Sequence, residues 1–226
     1  NSKIGVSYTG SYPGANIAVL SALEVIGASA IIISSCGSSE YGATHPNFNW
    51  LDIEKYLYDT NIFSNYSTLS SIGGGKDLGT QMSIKGKRAC ESSIYDNKIE
   101  FLNIQEPSRN IQKRINHYTI DKELSVFINV GGGIHSTGDS LYRNIVPAGI
   151  IYPSDFSAIP NGTVVDRFIN KGIPIININH IDELSILYDL PYPPLKEYSY
   201  GSGKLFYSQK KYNPYVIISA FLVSCG

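Results

Sequence analysis

The sequence predicts an α/β protein with an open, mostly parallel, doubly wound (Rossmann-like) sheet and helices on both faces. Three observations lead to this reading. Short apolar runs, the unbroken residues 30–33 and the mostly apolar residues 126–130, have the character of strands buried on both sides. Segments of helical apolar spacing stand between them, as strand–helix alternation requires. The runs end in Gly, Ser or Asn rather than in tight hairpin turns.

Residues 3–8 alternate, with Ile4, Val6 and Tyr8 on one side, and predict the first strand. After the turn 9–14, residues 15–26 carry Ile17, Leu20, Leu23 and Val25 at helical spacing, and Gly27 supplies the stop. Residues 30–33 complete a βαβ unit. Helices are expected over residues 50–58, 83–95, 107–118, 164–170 and 181–188, and strands over 98–104, 126–130 and 173–178. Residues 191–203, rich in Pro, Tyr and Gly, read as a surface crossing. A strand at 205–207 and an apolar closing helix at 215–225 end the chain. The expectation is one domain over residues 1–226. The abrupt start, a strand almost at residue 1 with no initiator Met, suggests a piece of a longer protein.

Composition narrows the function classes. Of 226 residues, 42% are hydrophobic and 16% charged, a globular balance, and the formal net charge is −1. The basic residues are scattered, so the electrostatic footprint of a nucleic-acid binder is missing and no nucleic-acid partner is expected. Cys36, Cys90 and Cys225 are odd in number and irregular in spacing, which fits neither a disulfide framework nor a zinc site. The four histidines lack the paired spacings of metal ligands. No metal and no cofactor are expected. No apolar run reaches the ~20 residues of a membrane helix.

In an open α/β sheet the ligand lies beyond the carboxyl ends of the strands. Four small, polar loops are predicted there: residues 9–14, 34–42, 70–79 and 131–138. Their backbone N–H groups are unshielded by large side chains, and hydroxyls stand beside them, a combination suited to an anion such as phosphate or carboxylate. The candidate ligand-binding residues are Gly10, Asn16, Ser34, Ser35, Ser38, Gly73, Gly74, Gly75, Lys76, Gly131, Gly132 and Gly133. Neither triple glycine has the spacing of a phosphate-binding or dinucleotide-binding fingerprint, and each is also readable as a tight turn. Candidate catalytic residues are Ser11, as nucleophile or substrate orienter, and Asp77, as acid–base or metal-binding group. Ser11 reads first as a helix N-cap or an anion-contacting hydroxyl, and Asp77 is also readable as the cap of the helix that follows. His135 is open to two readings, a general base or an exposed loop histidine. Cys36 reads as a packed small residue before a reactive thiol. Asp52 and Glu54 read as structural carboxylates in a helix's first turns.

Several segments together resemble the poly-γ-glutamate system protein family of bacteria. They are Thr9-Gly10-Ser11-Tyr12-Pro13-Gly14-Ala15-Asn16, Ile33-Ser34-Ser35-Cys36-Gly37-Ser38, Asn49-Trp50-Leu51-Asp52-Ile53-Glu54, Gly73-Gly74-Gly75-Lys76-Asp77-Leu78-Gly79 and Ile128-Asn129-Val130-Gly131-Gly132-Gly133. The resemblance implies an accessory protein of poly-γ-glutamate synthesis or export. It implies membrane association, through a segment absent from this sequence or through partners, and membrane-embedded synthase components as those partners. It supplies no catalytic residues; Cys36 and His135 depart from the family pattern. The expected ligand is a small anion or poly-γ-glutamate. A hydrolase or transferase acting on a γ-glutamyl or phosphorylated substrate is the enzymatic alternative, and a membrane-partner scaffold docking through residues 215–225 is the third.

Overall fold

The computed structural model describes residues 3–38, 42–139, 145–155 and 162–190. Packing divides the chain into two units, Asn1–His180 and Ile181–Gly226. The first unit holds the strands β1 (Lys3–Thr9), β2 (Ser29–Ser35), β3 (Thr44–His45), β4 (Phe48–Asn49), β5 (Ser67–Ser71), β6 (Glu100–Phe101), β7 (Val126–Val130), β8 (Gly149–Ile151) and β9 (Ile175–Ile178). Its helices are α1 (Pro13–Val25), α2 (Trp50–Asp59), α3 (Ile84–Asp96), α4 (Pro107–Tyr118), α5 (Ile134–Thr137) and α6 (Val164–Ile169). In the second unit, helix α7 (Ile181–Tyr188) is described. The expected crossing, last strand and closing helix lie outside the described residues.

Seven strands form one sheet in the order β6-β5-β2-β1-β7-β9-β8. All neighbours are parallel except β8, which runs antiparallel to β9 at the edge. The open, mostly parallel α/β sheet read from the sequence is therefore the fold. Strand side chains alternate between two cores, as the pleat dictates. On one face Val6, Tyr8, Ile32 and Val130 pack with Leu20 and Leu23 of α1, Trp50 and Leu51 of α2, and Cys90 and Ile94 of α3. On the other, Ile33, Leu69, Phe127 and Ile175 meet Ile115 and Tyr118 of α4 and Val164, Val165 and Phe168 of α6. Tyr118, Phe127 and Phe168 form an aromatic cluster with centroids 4.9–5.8 Å apart. Gly5 lets this cluster reach β1, since a Cβ there would stand 2.5 Å from Leu124 and 3.2 Å from the Tyr118 ring.

The helix stops behave as their glycines predict. Gly27 takes φ 61°, its N–H reaches the Glu24 carbonyl, and Ala28 closes back on Leu23. Gly172 repeats the device at φ 77°, with Ile173 N–H on the Phe168 carbonyl.

The structure adds elements to those read from periodicity. Residues 67–71 form an interior strand, next to the edge strand β6, although serine dominates them. Their hydroxyls are satisfied internally: Ser67 Oγ lies 2.6 Å from Ser34 Oγ, Ser70 Oγ donates to the Ser71 carbonyl, and Ser71 Oγ donates to Asp77. The antiparallel edge strand β8 is three residues long and half exposed at Ile150, too short for periodicity to register. β3 and β4 form a separate two-stranded ribbon. The strand expected over residues 98–104 contracts to the edge pair Glu100–Phe101. Among the described residues no helix is long and apolar enough to cross a membrane.

Candidate functional site

The chain leaves β1 for β2 and works outward to β5 and β6. It then returns to the other side of β1 as β7, so the winding direction reverses between β1 and β7. Loops leaving these two strands diverge and open a crevice at their carboxyl ends. A cleft of about 1000 Å³ lies there.

All four predicted loops reach this cleft. Ser11 comes from the first loop, Ser35 and Ser38 from the second, Gly73, Gly74, Gly75, Lys76 and Asp77 from the third, and Gly132 and Gly133 from the fourth. The remaining candidates stand behind the lining. Gly10 is buried, where a Cβ would stand 2.4 Å from the Cys36 carbonyl oxygen; its N–H donates to Ser35 and its carbonyl accepts from Ala43. Asn16 is fully buried on α1 and donates to the Thr9 carbonyl at 2.9 Å, fixing the turn. Ser34 is fully buried, shared between Ser67 Oγ and the Trp50 indole N–H. Gly131, at φ 82°, passes so close to β1 that a Cβ would stand 2.4 Å from Thr9 Oγ1. These four shape the cleft rather than line it.

Helix α1 begins beside the cleft at Pro13, with Tyr12 as N-cap and no side-chain cap. Ser11 is thus one residue outside the cap position and lines the cleft. The first-turn N–H groups of a helix have no intrahelical acceptor and carry the positive end of its dipole.

The glycine loop 73–79 is the most unusual backbone in the site. Gly73 and Gly74 take φ 79° and 65°, then Lys76 and Asp77, neither a glycine, take φ 55° and 63°. A left-handed non-glycine residue costs roughly 1–2 kcal/mol, so something must hold this pair in place. The holder is a buried polar cluster. Asp77 Oδ1 accepts from Ser71 Oγ at 2.6 Å, and Oδ2 accepts from Arg114 Nη2 at 2.7 Å and Asn110 Nδ2 at 3.4 Å. Arg114 Nε in turn donates to Asn110 Oδ1 at 2.9 Å. Arg114 and Asp77 are both buried, so this is an ion pair removed from water. Asp77 does not cap the following helix, which Ser83 does by accepting from Gly86 N–H. Lys76 is left exposed on the cleft.

His135 is not an exposed loop residue. It is buried on α5, with Nε2 3.9 Å from Asp77 Oδ2. Burial pushes its pKa below the ordinary histidine value, against a smaller upward pull from Asp77, so the ring is neutral near pH 7. The next residue, Ser136, meets Ser7 of β1 at 2.9 Å, Oγ to Oγ.

Sequence reasoning missed one wall. The loop expected from the sequence stops at Gly79, but Thr80, Gln81, Met82 and Ser83 continue round the cleft. Met82, the sole methionine, packs its sulfur where Cβ atoms on Gly37 and Gly79 would lie, 3.1 and 3.0 Å away. The signal was available in the close spacing of small residues, since so many glycines in contact need a soft filler. Thr9, Tyr12 and Gly37 also line the cleft.

Unpaired polar atoms concentrate at this end of the sheet. Asn16 Oδ1, Asn129 Oδ1, His135 Nε2 and Asn179 Nδ2, all on side chains at least nine-tenths buried, have no hydrogen-bond partner among the described residues; nor do Thr9 Oγ1 and Ser38 Oγ. Buried polar groups normally find partners, so such a concentration marks a place where water or ligand completes the bonding. Asp52 and Glu54 stand away from the cleft. Asp52 completes a capping box with Asn49 and accepts from Ser93 and Asn97. Glu54 is buried and accepts from Ser67 N–H. Among the described residues no three His, Cys, Asp or Glu side chains gather as a metal cluster.

Comparison with protein-family models, with curated proteins and with solved structures finds no match to this chain.

Proposed function

We propose that the chain is an accessory protein of a bacterial poly-γ-glutamate synthesis or export system, and that its cleft binds glutamyl carboxylates. The observation that carries the ligand half is the convergence of four sequence-distant loops on one cleft lined by glycine backbone, serine hydroxyls and Lys76. Such a lining offers N–H and O–H donors and, among the described residues, the Lys76 cation together with the Asp139 carboxylate, a donor-rich surface that suits a carboxylate. The system itself is the reading of the motif resemblance, and its membrane-embedded synthase components are the partners it implies. Binding is favoured over hydrolysis because both oxygens of Asp77 are already committed to Ser71, Arg114 and Asn110. A carboxylate so engaged turns its oxygens inward and serves as an anchor.

The test is calorimetric titration of the protein with oligo-γ-glutamate and, separately, with inorganic phosphate. Saturable binding of the oligomer that weakens about five- to tenfold in Lys76→Gly supports the reading. That variant removes the cation while relieving the left-handed backbone, so loss of binding reports charge and not unfolding. Binding of phosphate alone, or of neither, overturns it.

A further inference from the structure

The wall that runs from the glycine loop to α3 divides into a polar and an apolar part. On the polar part, a Cβ on Gly75 would collide with Thr80 Oγ1 and stand 3.2 Å from the Gln81 side chain, so these two side chains back the main chain next to Lys76. The apolar part is Met82, half-buried and lining the cleft. Four glycines from three segments surround its thioether. A Cβ would stand 3.1 Å from the sulfur on Gly37, 3.0 Å on Gly79 and 3.7 Å on Gly74, and 3.5 Å from the methyl carbon on Gly86. We propose that Met82 and these glycines are a chain-reading subsite, which takes the methylenes of an aliphatic carboxylate whose head group lies on the Gly74 and Gly75 amides and Lys76. The inference rests on the reading of the cleft as a carboxylate site and adds which carboxylates it takes.

Gly74 joins the two parts. It lines the cleft two residues before Lys76, and a Cβ there would touch both Sδ and Cγ of Met82, at 3.7 and 3.8 Å. The main-chain bonds that fold this loop use the N–H groups of Asp77, Leu78, Gly79, Thr80 and Met82, and those of Gly74 and Gly75 are not among them. Head group and chain therefore meet adjoining surfaces, amides on one and thioether on the other.

The glycines keep side chains away from the sulfur, so what borders it is backbone and Cα hydrogen. Met82 also packs against the core on the α1–α3 face, which fixes where the thioether is offered. A thioether on an unbranched chain adapts to the apolar group it meets. Each methylene that it takes out of water raises affinity by about fourfold. A compact anion such as phosphate reaches the amides and leaves the thioether wet. A γ-glutamyl unit carries two methylenes beside its carboxylate and uses both surfaces.

The sole methionine makes the test direct. The full chain, isotope-labelled at the methionine methyl and the backbone amides, is titrated with sodium acetate, butyrate and hexanoate and followed by NMR. All three are expected to shift the Gly74 and Gly75 amides, and only butyrate and hexanoate the Met82 methyl. Butyrate, with two more methylenes than acetate, is expected to bind about tenfold tighter. Met82→Gln, similar in length but polar, brings that ratio below about twofold, and Met82→Leu, apolar, keeps it above about fivefold. If none of the three salts shifts the Gly74 and Gly75 amides, the carboxylate reading falls and this inference with it. Amide shifts with butyrate no tighter than acetate, a Met82 methyl unmoved by butyrate, or a ratio unaffected by Met82→Gln each overturn the chain subsite alone.

Discussion

Glu54 makes the protein less stable at neutral pH than at mildly acidic pH. Its side chain is enclosed between α2 and β5, with Oε2 accepting from Ser67 N–H at 3.1 Å and Oε1 unpartnered. Burial pushes its pKa from 4.5 up to about 7, against smaller downward pulls from Ser67. The Tyr8 hydroxyl is also buried and unpartnered, and its pKa is raised by burial and by the Glu54 charge, so it does not ionise in Glu54's place. Below the unfolded pKa, folded and unfolded states both carry the proton and nothing is lost. As pH rises, the unfolded chain ionises first, and folding must then bind a proton. The stability lost saturates above the folded pKa at about 3 kcal/mol, and about 2.5 kcal/mol of it falls between about pH 5 and pH 8. Glu54→Gln keeps the shape and the acceptor while removing the titration. The assay is urea unfolding of both proteins at those two pH values, followed by the fluorescence of Trp50, the sole tryptophan and fully buried. Any packing cost of glutamine is the same at both values and cancels in the double difference. The variant should gain on the parent by about 2.5 kcal/mol from acid to alkaline pH. A gain under about 0.5 kcal/mol would refute the assignment of a buried, protonated Glu54.

Two further predictions concern the cleft's framework. Gly131→Ala, at φ 82° and with its Cβ forced to 2.4 Å from Thr9 Oγ1, should lose about 2–3 kcal/mol in thermal unfolding, while Gly133→Ala, whose nearest contact is 3.5 Å, should change stability by under about 0.5 kcal/mol. Arg114→Met should lose about 3–5 kcal/mol in urea unfolding by stranding the Asp77 carboxylate, and adding Asp77→Asn to it should recover part of that loss because the stranded charge is gone.

Much of the fold was legible because the strands beside β1 are mostly apolar. Residues 30–33 and 126–130 can satisfy themselves only as strands covered on both faces, and they lie on either side of β1. The helices at 107–118 and 181–188 match their predicted bounds, the first because Glu106 and Pro107 mark its start: the Glu106 carboxylate accepts from Ser108 and Arg109 N–H. What periodicity could not reveal was a strand whose core side chains are serines. Ser67, Ser70 and Ser71 are fully buried because each hydroxyl has a partner, Ser34 for Ser67, the next carbonyl for Ser70 and Asp77 for Ser71, and no pattern within five residues records the partners on β2 and the glycine loop. The candidate site was legible to the same depth. Composition located the loops, since only small residues tolerate such close backbone approach. The division of labour among them was hidden. Ser34 and Ser35 are adjacent in sequence, yet the pleat sends Ser34 into a buried bond with Ser67 while Ser35 reaches the cleft.

The third loop shows how the buried cluster and the cleft are connected. Two consecutive left-handed non-glycine residues together cost about 2–4 kcal/mol, comparable to what one buried ion pair loses when a partner is removed. Lys76 and Asp77 adopt that conformation because Asp77 is drawn down onto Arg114 and Ser71, and the backbone geometry that lowers Asp77 leaves Lys76 raised at the cleft. Arg114 therefore acts on the cleft without lining it, by setting the height and direction of the residue next to its partner. A carboxylate placed for proton transfer would need an oxygen free toward substrate, whereas Asp77 spends both oxygens inward. The arrangement is that of a rigid cradle presenting Lys76 among amides and hydroxyls, and this is the physical reason to expect recognition of an anion rather than its chemical conversion.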